Sequence, residues 1–247
     1  MTRTYLTAPL NVTATPGQNL GALYASIRDG YDLGGQQATV TVPDGAYPSC
    51  VFDGPLVGAK SPASCLFVGN VTNPYRVAIG NGGDSLTVTD GAKVQVKGIG
   101  FVGGQPDGSG AQRNMVVTGA EIFIGNAWFN ACSLAQVDAA GGGNVVSFGP
   151  LVMLAGAPYA FLCEQQAVML LRSNLIQWGG ATPSYQAGFY VDQGSLIDLT
   201  GTTWAGSFAG KQYDGGGFGM ISANGAGPSF IPGSIPGGFT YPPGWYF

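Results

Sequence analysis

The residues of this chain best suited to glycoside acid–base chemistry are its carboxylates. No histidine is present, which removes every Ser-His or Cys-His nucleophile arrangement. Glycoside cleavage needs two carboxylates held about 5–10 Å apart. Glu121 and Glu164 are the glutamates, and the other acids are aspartates. Many of these precede glycine, as in Asp29-Gly30, Asp44-Gly45, Asp53-Gly54, Asp90-Gly91, Asp107-Gly108 and Asp214-Gly215. Asp-Gly makes tight corners, so these read as turn residues. Asp192 and Asp198 remain as the best pair, bracketing the turn Gln193-Gly194-Ser195, where they could share a face with Asp214. Glu164 is a third catalytic candidate.

Aromatic residues offer a second kind of chemistry, the holding of sugar rings by their apolar faces. Tyr185, Phe189 and Tyr190 lie near Pro183 in an expected exposed loop, and Trp178 precedes them. These four are the candidate binding residues. The plainer reading of Trp128, Trp178 and Trp204 is that they stack within or along one face of the fold. Glycine runs such as Gly141–Gly143 lack the following helix and Lys-Ser/Thr pair of a phosphate loop, so they read as corners. Cys50, Cys65, Cys132 and Cys163 have no paired metal-type spacing. A Cys50–Cys65 disulfide is one option and buried thiols are the favoured one. No metal or cofactor is expected.

The elements that must position these residues show themselves as a repeat. Gly91-Ala-Lys-Val-Gln-Val-Lys-Gly-Ile-Gly-Phe101 has the same form as Gly119-Ala-Glu-Ile-Phe-Ile-Gly-Asn-Ala-Trp-Phe129. Units beginning at Gly143, Gln166 and Gly194 continue the series. Their first apolar residues are Val94, Ile122, Val145, Val168 and Leu196, at steps of 28, 23, 23 and 28 residues. Two short strands per unit of roughly 20–30 residues is a solenoid signature. The pattern predicts an all-β fold, a right-handed parallel β-helix with one coil per unit. Val94, Val96, Ile99 and Phe101 should then point inward. Lys93 and Glu121 should meet outside, about 4.8 Å apart along the stack.

Composition agrees with many tight corners between short strands. Glycine is 43 of 247 residues and charged residues are only 9%, against averages of about 7% and about a quarter. The net charge of −4 offers no footprint for a nucleic-acid backbone. No apolar run approaches the roughly 18 residues that would span a membrane, so no membrane insertion is expected. The start of the chain lacks an apolar leader segment, so the expectation is a chain made in the cytoplasm or carried out inside a larger particle.

Three segments follow. Residues 1–36 form an N-terminal arm and a capping helix, with Leu20, Leu23, Tyr24 and Ile27 on one helical face. Residues 37–205 form the coils. Residues 206–247 form a cap and an extended Gly/Pro-rich tail ending in aromatics. Tyr241, Trp245, Tyr246 and Phe247 are costly in water, so they are expected against another subunit or the chain's own coils.

Tyr31-Asp-Leu-Gly-Gly35 and Val42-Pro-Asp-Gly-Ala-Tyr47 resemble the run that opens the first coil in right-handed β-helix tail fibre and tail spike proteins of tailed phages and prophages. Phe208-Ala-Gly-Lys-Gln-Tyr213, Gly219-Met-Ile-Ser-Ala-Asn-Gly225 and Phe230-Ile-Pro-Gly233 are similar to that family's ending. The resemblance spans about residues 20–235 and implies a virion protein, a homotrimer that contacts other tail or baseplate proteins and recognises the host. It brings no catalytic residues, because the matched motifs are structural. The expected function is binding of a host-surface glycan or other receptor without cleavage. The alternatives are a polysaccharide-degrading tailspike and a purely structural head or baseplate decoration.

Overall fold

The structure is a computed structural model that describes residues 2–80, 82–103, 112–227, 229–240 and 244–247. Strands of two to eight residues stack into three long sheets of ten, seven and eight strands, and the strand pairs among the described residues are parallel. The ten-stranded sheet runs from Leu10–Thr13 to Trp245–Tyr246, the seven-stranded sheet from Gly45–Tyr47 to Thr203–Ala205, and the eight-stranded sheet from Cys50–Asp53 to Gly233–Ile235. Each coil visits the three sheets in turn, giving a parallel β-solenoid of about nine turns.

Alternation along the strands sends one set of side chains inward to meet their equivalents on the next coil. Val94, Ile122, Val145, Met169, Ile197 and Ile221 form one such buried column. Val96, Ile99 and Phe101 are likewise buried. Phe101 stacks on Phe129 with centroids 5.3 Å apart, and Phe161 on Phe189 at 5.0 Å. The expected partners Lys93 and Glu121 are in register, with Nζ 3.6 Å from the carboxylate.

One detail of the expected register is corrected. Val168 and Leu196 align with Asn144 on the outer face, and it is Met169 and Ile197 that follow Val145 inward. The run Val168-Met-Leu-Leu171 is apolar at every position, so its composition does not discriminate between faces. A one-residue slip exchanges those faces.

The corner from the eight-stranded to the ten-stranded sheet needs two successive left-handed residues. Asp90 and Gly91 supply them at φ 52° and 79°, and Gly141 and Gly142 at 53° and 75°. Asp-Gly and Gly-Gly adopt that geometry at low cost, which is the physical reason for the abundant glycine. At the N-terminal end the helix Leu20–Gly30 buries Leu20, Tyr24 and Ile27 against the first coil, and Asn19 accepts a hydrogen bond from the Ala22 N–H. The segment beyond residue 205 also joins the sheets, through Phe208–Gly215, Met220–Ser222, Gly233–Ile235 and Trp245–Tyr246. All four cysteines are free thiols.

Candidate functional site

The outer face of the eight-stranded sheet gathers the carboxylates. Phe161, Cys163, Phe189 and Val191 are buried inward. Alternation therefore turns Leu162 and Tyr190 outward, and the register continues their column to Asp138 on one side and Asp214 on the other. Glu164 and Asp192 each follow the last strand residue of their coil. The Glu164 N–H donates to the Ala139 carbonyl at 2.9 Å and the Asp192 N–H to the Cys163 carbonyl at 3.1 Å. These bonds hold the two acids one above the other at the strand spacing, about 4.8 Å.

Two tyrosines share this face. The rings of Tyr159 and Tyr190 are 5.0 Å apart and tilted by 52°, and both residues are half-buried. Tyr190 reaches Asp192 Oδ2 at 3.5 Å. Lys211 Nζ holds Asp214 Oδ2 at 2.6 Å. Arg113 lies between Asp138 and Asp84, its Nε 2.8 Å from Asp138 Oδ2 and its Nη1 3.6 Å from Asp84 Oδ2. The Nε–H nonetheless makes no hydrogen bond, so this contact is an ion pair of poor direction.

Burial dominates the electrostatics. Asp138 is 1% exposed, and its Oδ1 has no hydrogen-bond partner. Burial pushes its carboxyl up to about 7, against the opposing pull of Arg113 and with the added repulsion of Glu164 and Asp84. Glu164 is raised by burial and then by Asp192, with Arg113 pulling the other way. Asp192 is raised by burial, opposed by hydrogen bonds from Tyr190 and Gln193.

The expected pairing of Asp192 with Asp198 is corrected. Strand Leu196–Asp198 belongs to the ten-stranded sheet, so Asp198 lies beyond the corner from Asp192. There it is 4% exposed and accepts hydrogen bonds from Arg172 Nε at 2.6 Å and from the Thr200 N–H at 2.9 Å. Burial alone raises its carboxyl, but those bonds and the Arg172 charge outweigh it and hold the group below its ordinary range. Asp198 is a structural ion pair. Asp192, Glu164 and Asp214 do share a face.

The expected aromatic loop is corrected as well, because Ser184–Val191 is a strand with a bulge between Ser184 and Ala187. Phe189 is fully buried, and Tyr185 is 4% exposed with its hydroxyl 2.9 Å from Gln136 Oε1. Trp178 is interior too, 4.5 Å from Phe208 between ring centroids. Tyr190 alone of those four faces outward. Among the expected subunit contacts, Tyr241 lies outside the described residues. Tyr246 stacks on Tyr213 at 4.9 Å, and its hydroxyl donates to the Gly227 carbonyl at 2.7 Å. Trp245 and Phe247 are 60% and 54% exposed.

Asp138 and Tyr159 were not singled out by sequence reasoning. Asp138 did carry a signal, since an aspartate between Val137 and Ala139 within a strand cannot be a corner residue. Among the described residues no three His, Cys, Asp or Glu side chains gather as a metal site, and no helix is long and apolar enough to cross a membrane. A concavity of about 420 Å³ lies elsewhere, lined by Gly17, Ala46, Tyr47, Pro48 and Gly80, and carries no carboxylate.

Fold and face together define a parallel β-solenoid with an acidic, tyrosine-bearing lateral strip. No protein-family model matches the chain, and no curated protein or solved structure matches it either.

Proposed function

We infer that this chain is a right-handed β-helix component of a tail fibre or tail spike, a homotrimer that binds a host-surface glycan without cleaving it. The observation that carries the binding reading is the Tyr159–Tyr190 pair, facing outward with Glu164 and Asp192 beside it. Aromatic rings take the apolar face of a sugar while neighbouring carboxylates accept bonds from its hydroxyls. Right-handedness follows the strong preference of parallel crossovers. The trimer draws support from the outer face of the ten-stranded sheet, where Leu66, Phe123, Val146 and Leu170 stand half-buried in one line broken only by Gln95. Three such faces can cover one another under closed symmetry.

Binding is preferred over cleavage for a physical reason. Catalytic carboxylate pairs work because their surroundings push the two groups apart in acidity. Here the accessible acids, Glu164 and Asp192, are both shifted upward, and the most perturbed acid, Asp138, is 1% exposed. The second reading, a polysaccharide hydrolase, is favoured by the close stacking of Glu164 over Asp192.

Adsorption of purified protein to host cells tests the binding reading. Tyr159→Ala plus Tyr190→Ala should lower adsorption at least about tenfold, because stacking of one ring contributes on the order of 1 kcal/mol. Unchanged adsorption would sink it. Light scattering should return three times the chain mass, and a monomer would remove the trimer. New reducing ends from host polysaccharide, lost in Glu164→Gln, would establish the hydrolase instead.

A further inference from the structure

We propose that the ligand of the Tyr159–Tyr190 strip carries positive charge, an amino sugar with a free ammonium group, rather than a neutral or acidic glycan. This rests on the reading of that strip as a glycan site. The argument is a charge account of one face.

The titratable groups facing the strip among the described residues can be named. Asp214 is matched by Lys211 at 2.6 Å. Asp138 and Asp84 share Arg113. Tyr159 and Tyr190 stay neutral, both raised above the ordinary tyrosine range, first by burial and then by the surrounding acids. Glu164 and Asp192 are left over, the pull of Arg113 on Glu164 being smaller than the push of Asp192. Among the described residues neither forms an ion pair, and Asp192 Oδ1 is buried without a hydrogen-bond partner. The second observation is on the same face, where Asp138, 1% exposed, holds an unpartnered Oδ1 in the column that runs through Leu162 to Tyr190. A protein folding for itself would place a cation here, as it does beside Asp198 and Glu121 on the ten-stranded sheet.

A bound ammonium group would meet both carboxylates and the two ring faces together, and rings attract cations through their quadrupole. Neutral sugar hydroxyls would leave the two like charges stacked, and an acidic sugar would add a third. Binding of the cation favours ionised carboxylates. Affinity should therefore be full above the raised acidities of Glu164 and Asp192 and fall as pH drops through them.

Calorimetric titration with a fully deacetylated glucosamine oligomer and its N-acetylated counterpart tests this, at a pH where the amines are protonated. The charged oligomer should bind about tenfold more tightly, and added salt should close the gap. Glu164→Gln plus Asp192→Asn should also close it, by weakening the charged oligomer more than its N-acetylated counterpart. Both positions are half-exposed, and unchanged circular dichroism would confirm folding. Equal affinity for the two oligomers, or a gap that survives the double variant, overturns the proposal. If cell adsorption still depends on Tyr159 and Tyr190 in that case, the glycan site stands and only its charge preference falls. If adsorption is indifferent to both tyrosines, the site itself falls too.

Discussion

On the outer face of the ten-stranded sheet Glu121 meets Lys93 from the preceding coil, and Asp198 meets Arg172. On the outer face of the eight-stranded sheet Glu164 instead meets Asp192. Both faces are built from the same coils with the same strand spacing, so backbone geometry does not explain the difference. A solenoid stacks whatever stands at equivalent positions. Where opposite charges recur the stack supports the register, and where like charges recur it opposes it. A local cost with no structural return marks a candidate functional surface.

The largest expected effect tests what the two faces share, the interior. Phe161→Ala should cost about 3–5 kcal/mol in urea unfolding, from lost burial and a cavity beside Phe189. A cost below about 1 kcal/mol would show that the coils repack independently and that the faces are not one scaffold.

The next effect is the pH dependence. Asp138 has a folded acidity raised from 3.8 to about 7, so the folded chain holds a proton that the unfolded chain releases. Its contribution to stability therefore falls as pH rises from about 4 to about 7, by on the order of 4 kcal/mol. Asp138→Asn should be more stable than the parent near neutrality and indistinguishable from it in acid. Asp198 has the opposite sign: its folded acidity is depressed, so its stabilisation is present near neutrality and lost as pH falls through the folded value. Melting temperatures of Asp138→Asn and Asp198→Asn from about pH 7 down to below about pH 4 check both, and parallel curves for the two variants would break the contrast.

At fixed neutral pH, Asp198→Asn should cost about 1–2 kcal/mol by weakening charge-assisted hydrogen bonds. Asp192→Asn should change stability by less than about 0.5 kcal/mol or raise it, because it removes a like-charge contact. Equal costs would place Asp192 among the structural acids. The smallest effect belongs to Lys93→Ala, which should cost less than about 0.5 kcal/mol because its ion pair is exposed.

Much of the scaffold was legible beforehand because solenoid physics is local. Alternation at Lys93–Lys97 and the Asp90-Gly91 corner need only neighbouring residues, and Lys93 against Glu121 needed only the spacing between units. The site was legible in part. Glu164 and Asp192 were named, and Asp214 was placed near Asp192. The false partner was Asp198, six residues from Asp192 in sequence but past a corner that leads into another sheet. Proximity along the chain misleads where a two-residue corner redirects it. Tyr185 and Phe189 misled in a similar way, since Pro183 and the surrounding polar residues looked like a loop and a bulged strand turned both rings inward.

By itself the sequence determined the class of fold, because side-chain alternation and left-handed corners are properties of short segments. It also excluded Ser-His and Cys-His nucleophile arrangements within this chain, since no histidine is present. The tertiary structure alone decided which acids meet. Asp138, Glu164 and Asp192 lie on successive coils, and their assembly depends on how many residues each corner consumes. That count is set by packing of the whole coil, and a one-residue change would have sent Glu164 or Asp192 to the opposite face.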